Sequence, residues 1–176
     1  KIGIISTVEG ATGIKIAGTT TDAPGEKTPT TATVTTTLGK TEGTGVEVTG
    51  KANNIINVTL QDTQTPTSKT PISIAKGIDV AGNEEGGIIN IDVNQSNLQV
   101  AKSGNLVNIG DVAGTTNVNI NKDIKVATEG TGNIVKAGAI TSGTLNINLN
   151  VKGNTGLNVT AGNTALNLAS VGAANK

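Results

Sequence analysis

TLNINLNV, residues 144 to 151, alternates without a break. Successive side chains of an extended chain point to opposite sides, so Leu145, Ile147, Leu149 and Val151 share one face and Asn146, Asn148 and Asn150 the other. The segment therefore reads as a half-buried strand with one aliphatic face and one amide-bearing face. The same grammar recurs in IINIDV (88–93), NLQVA (97–101), NLVNI (105–109), TNVNIN (116–121), DIKVA (123–127), NIVKA (133–137), LNVTA (157–161) and ALNLA (165–169). Towards the N-terminus, strands are predicted over Ile2 to Thr7, Gly13 to Ala17, 46–49, 55–60 and 72–75, with the Thr-rich TATVTTTL (31–38) suited to an exposed or edge position. Pro24-Gly25, Pro29, Pro66 and Pro71 mark turns and surface excursions. No segment has the length and periodicity of a helix.

The 176-residue composition narrows the function. Phe, Tyr, Trp, Met, Cys and His are all absent, so the predicted core is purely aliphatic. Without aromatics there is no stacking platform for single-stranded nucleic acid and no large side chain to close a pocket. Thirteen basic residues, all Lys, balance thirteen acids. With neither a basic field nor Arg, nucleic acid is not an expected partner. No apolar run reaches the roughly eighteen residues of a membrane span.

Internal repetition is plain but uneven. TEGTG occurs at 41–45 and again at 128–132, and NVTL at 57 is echoed by NINL at 146. EGATGIKIAG (9–18), EGTGVEVTG (42–50), EGTGNIVKAG (129–138) and GNTGLNVTAG (153–162) share a frame in which a Gly-rich corner precedes a short strand that closes on another Gly. An offset near 90 residues is half the chain. It favours an all-β fold of the β-sandwich, jelly-roll-like type, built from short strands as one domain over 1–176 or as two similar halves (about 1–86 and 87–176). The alternative is a β-solenoid or an intertwined trimeric fibre, against which the irregular spacing weighs.

Catalytic chemistry has little to work with, and the expectation is that the chain is not an enzyme. No imidazole or thiol exists, no serine sits in a nucleophile elbow, and no phosphate-binding fingerprint is present. The candidate carboxylate pairs are Asp79 with Asp111, if the two DVAG units stack, or Glu84 with Glu85. Oxygen donors Asp79, Asn83, Glu84 and Glu85 lie close enough in sequence to make calcium the one candidate cofactor, although the EF-hand pattern is not met. Asn57, Asn94 and Asn158 stand in glycosylation sequons and would mark outward strand faces.

Unpaired strand edges must be managed, and Ile2, Ile4 and Ile5 in residues 1–7 form a candidate donor strand that would complete a neighbouring subunit's sheet. On this reading the chain is an extracellular filament, pilus or surface-fibre subunit that forms a homo-polymer. The alternative is an adhesive or carbohydrate-binding β module of a cell-surface or phage fibre protein, with a glycan or surface ligand as partner.

Overall fold

A computed structural model describes residues 3–18, 29–63, 70–127 and 131–150, and the backbone of 157–159 and 165–170. Within them lie β1 (Ile4–Thr7), β2 (Thr12–Ala17), β3 (Thr30–Gly50), β4 (Asn54–Gln61), β5 (Ile72–Asn83), β6 (Ile88–Asn94), β7 (Leu98–Ile109), β8 (Thr115–Ile120), β9 (Lys125–Val126), β10 (Asn133–Ala137), β11 (Thr144–Leu149), β12 (Leu157–Val159) and β13 (Ala165–Ser170). The strands expected from period-two alternation are largely present. Their pairing is not that of a sandwich.

Every strand pair is parallel, and each strand bonds to the equivalent strand one turn of chain earlier or later. The fold is a parallel β-solenoid. Each coil crosses three sides. The first side stacks residues 30–36 of β3, then β4, β6, β8, β11 and β13. A second side stacks β1, the middle of β3, the start of β5, the start of β7 and β9. A third stacks β2, the end of β3, the end of β5, the end of β7, β10 and β12.

The sandwich expectation fails because the repeat length varies while the register does not. Thr33, Asn57, Asn90, Asn117 and Asn146 occupy one position in successive coils, separated by 24, 33, 27 and 29 residues. The surplus falls between strands, the longest step being the one that holds the ten residues between Gln61 and Ile72. The offset of NVTL and NINL therefore spans three coils of one stack. At the corner of the third side, Lys76 lies opposite Thr44 in one direction and Asn105 in the other, so unlike letters share one position and hide the repeat.

Parallel stacking puts like side chains over like. Inside, Val58, Ile91, Val118 and Ile147 form one aliphatic column, and Leu60, Val93, Ile120 and Leu149 another. On the third side Val46, Ile78, Val107 and Val135 do the same. Full burial of one such side chain is worth about 1.5–3 kcal/mol, so several columns of modest aliphatics replace the missing aromatics.

The donor-strand reading of β1 is corrected by the same pairing. Ile4 and Ile5 lie opposite Thr37 and Leu38 of their own chain, and Gly3 O accepts from both Thr36 Oγ1 and Thr37 N. Strand β1 thus belongs to the first coil of its own solenoid. Ile5 packs against the core and Ile4 is exposed, while Ile2 lies outside the described residues.

Two local devices keep the stack closed. The pairing of β3 with β5 begins at Thr41, so no residue of β5 pairs with Leu38. The fully buried Gln95, 57 residues away, fills the gap: its Oε1 accepts from Leu38 N at 2.8 Å and its Nε2 donates to Leu38 O at 2.7 Å. One side-chain amide thereby stands in for a missing backbone rung. At the corners, glycine is required by contact, since a Cβ on Gly104 would lie 2.6 Å from the carbonyl oxygens of both Ile74 and Ala75.

Gly104→Ala is expected to lower stability by about 1–3 kcal/mol through that overpacking, whereas Gly82→Ala, with nothing within 4 Å of its Cβ, should stay within about 0.5 kcal/mol. Denaturant melts followed by circular dichroism compare the two. Gln95→Glu separates amide chemistry from shape. Ionised, the carboxylate cannot donate to Leu38 O and its burial raises its pKa; protonated, it can both donate and accept. Its melting temperature relative to the parent should recover on going from pH 7 to pH 4, and a deficit independent of pH would remove Gln95 from this role.

Candidate functional site

The first side carries on its outward face the amides that the alternating segments predict. In one column Asn90 Nδ2 donates to Asn57 Oδ1 at 2.8 Å, Asn117 to Asn90 at 2.7 Å and Asn146 to Asn117 at 2.6 Å. The column ends on Thr33, whose Oγ1 is 3.4 Å from Asn57 Nδ2. Beside it Asn119 Nδ2 donates to Asp92 Oδ1 at 2.8 Å, and Asn148 stands over Asn119 in register. A third column runs from Asn94 through Asn121 to Asn150, at 2.9 and 3.1 Å. These ladders follow from the register: identical amides one rung apart can each donate to the rung before and accept from the rung after.

Neighbouring coils are about 4.8 Å apart and outward side chains along one strand about 6.6 Å apart, so the three columns make a two-dimensional lattice of carboxamides. An amide has two N–H donors and two oxygen lone pairs. Asn90 and Asn117 each use one donor and one lone pair within the column, which leaves one of each not engaged in it. On the flank of this lattice, Ile55 and Ile88 are adjacent rungs of a half-buried outward column that continues as Thr115 and Thr144.

Charge is sorted between the sides. Among the described strand residues of the first side, Asp92 is the one ionisable group. The matching outward column of the third side reads Lys15, Glu47, Asp79, Asn108 and Lys136. There Lys15 pairs with Glu47 at 2.7 Å, and Asp79 is held by Lys76 at 2.9 Å and by Asn108 Nδ2 at 2.8 Å.

The oxygen donors singled out for calcium take separate positions. Asp79 faces outward from the third side within the pairs just described. Asn83 points inward at the next corner and is buried, its Nδ2 within hydrogen-bonding distance of Gly87 O, Thr115 O and Thr116 Oγ1. Glu84 is paired with Lys51 and accepts from Ala52 N, and Glu85 is exposed in the turn beyond. The Lys51 ammonium beside Glu84 holds its carboxyl below the usual carboxylate value. Among the described residues no three acids gather as a metal-binding group. Asp79 lies opposite Asn108 rather than Asp111, so the two DVAG units do not stack a carboxylate pair.

Asn57 and Asn94 of the sequons both lie in the outward ladders of the first side, as expected of outward strand positions. Asn158 falls in β12, and its side chain lies outside the described residues. Period two revealed the amide-bearing faces; their hydrogen-bonded columns were invisible because the partners are set by register over 24 to 33 residues.

Comparison with known proteins returns no matching family model, no similar curated protein and no similar solved structure. Among the described residues no helix is long and apolar enough to cross a membrane.

The Lys51–Glu84 pair makes a pH prediction. A carboxyl with a lowered folded pKa contributes stability above its unfolded value and loses it as pH falls through the folded one. Lys51→Ala should raise the Glu84 pKa towards its ordinary value of 4.5, read from the pH dependence of its side-chain NMR resonance; an unchanged titration would mean that Lys51 does not hold it. Because Asp79, Asn83 and Glu84 are each held by separate partners, millimolar calcium is expected to leave the melting temperature unchanged, and a rise of several degrees would show that they converge on an ion.

Proposed function

We propose that this chain is an adhesive or carbohydrate-binding β module of an extracellular cell-surface or fibre protein. The observation that carries the reading is the asymmetry of the stack, in which one side presents an almost uncharged lattice of carboxamides while another carries the matched lysines and acids. A purely structural rod needs no such sorting. A surface that recognises a hydroxyl-rich ligand does, since hydroxyls both donate and accept, and charged side chains hold their own hydration against displacement.

The architecture suits that task. Backbone ladders run through consecutive coils, so the side faces are rigid and adhesion costs little ordering of the protein. The module acts by binding rather than by turnover, in keeping with a sequence that has no imidazole or thiol for proton transfer or nucleophilic attack. A repetitive face also permits weak contacts to add along one ligand, as multivalency requires.

The purified protein, fluorescently labelled, is expected to be retained by a subset of neutral glycans on a glycan array and by intact cells that display them. A blank array together with no cell binding would overturn the reading.

A further inference from the structure

We propose that the amide lattice of the first side is a docking surface for an ordered, uncharged polysaccharide, engaged across several adjacent chains rather than at a sugar terminus. The inference rests on the carbohydrate-binding reading above and specifies both the face and the class of ligand.

Shape comes first. A terminal sugar is held in a concavity, whereas the lattice lies on the outward surface of a parallel sheet whose rungs are in register from β4 to β11. Asn117, Asn119 and Asn121 in one coil stand under Asn146, Asn148 and Asn150 in the next. The same chemistry therefore repeats both along the strand and along the axis. A single flexible oligosaccharide would use one of those directions. A surface of chains packed side by side presents hydroxyls that repeat in both.

Chemistry narrows the class. The N–H and lone pair that the column leaves over on the half-buried Asn90 and Asn117 match a hydroxyl, which donates one hydrogen bond and accepts others. Carboxamides locked into columns are already oriented, so little side-chain entropy is lost when the ligand arrives. Beside them Ile55 and Ile88 offer an aliphatic strip to the C–H side of a sugar ring, a role usually taken by the aromatics this chain lacks. Charge then excludes the acidic polymers. Asp92 sits inside the lattice, and no lysine lies among the described strand residues of that side, so a uronate or sulfated chain would meet a like charge with no counter-charge.

The test measures adsorption of the full chain to microcrystalline cellulose and to crystalline chitin, with alginate gel as the acidic comparison. The parent protein is expected to partition onto at least one neutral polymer and not onto alginate. Asn117→Ala with Asn119→Ala should weaken adsorption about tenfold, while Asn108→Ala with Asn133→Ala on the third side should leave it within about twofold. Should the first pair disturb folding, as read by circular dichroism, the side-chain amide resonances of Asn90, Asn117 and Asn119 in the parent protein give a second readout and should shift on adding soluble cello- or chito-oligosaccharide. Adsorption that depends on the third side instead, or preference for alginate, would overturn the inference while leaving a glycan-binding module in place. Failure to adsorb to either neutral polymer overturns the inference by itself, and the function reading falls only if glycan array and cells are blank as well. Sedimentation showing that the first side is consumed in a dimer would also overturn it.

Discussion

Parallel, in-register hydrogen bonding between successive coils is the constraint on which everything else depends. Once the backbone of each coil bonds to the same positions of the next, every side chain stands over its counterpart about 4.8 Å away. Aliphatic residues then fall into inward columns such as Val58, Ile91, Val118 and Ile147. Amides fall into outward columns, and in the one from Asn57 to Asn146 Asn90 and Asn117 each donate to the rung before and accept from the rung after. Burial of the inward columns supplies most of the stabilisation, because half-exposed side-chain hydrogen bonds exchange for water at little net gain. The outward columns contribute geometry.

That constraint also explains the composition. A three-sided stack has a narrow interior whose columns hold Val, Ile and Leu, and the corners must let one coil's backbone lie directly on the next. Glycine meets that need at Gly104, and again at Gly114, where a Cβ would come 2.4 Å from the carbonyl oxygens of Glu84 and Gly87. Where a coil departs from the stack, the ladder has to be repaired, and Gln95 does so for Leu38. Asn83 meets a similar demand at another corner, reaching Thr115 and Thr116 in the following coil.

The individual strands and their two faces were legible in the sequence, because period two fixes which side chains share a face whatever the strands pair with. Pairing was not. Asn57 and Asn146 were visible as related positions, yet the members between them, Asn90 and Asn117, arrive after unequal steps of 33 and 27 residues. Unequal steps looked like two halves of a sandwich because corners of different length change the spacing without changing the register. The frame EGTG likewise recurs in the letters at 42–45 and 129–132 but not in the coils between, where Lys76 and Asn105 follow Thr44 in register. The candidate site was half legible: amide-bearing faces could be foreseen, whereas their assembly on one nearly uncharged side required the stacking order. Gln95 gave no signal, since its partner lies 57 residues away and is a backbone group.

Both the fold and the amide face depend on the stacking order, and NMR of the isotopically labelled protein reads it directly. Inter-strand backbone NOEs of the parallel type are expected to link Asn90 with Asn117 and Asn117 with Asn146. Antiparallel Hα–Hα NOEs between strands consecutive in sequence, such as β6 with β7 or β7 with β8, would contradict the solenoid and the surface built on it.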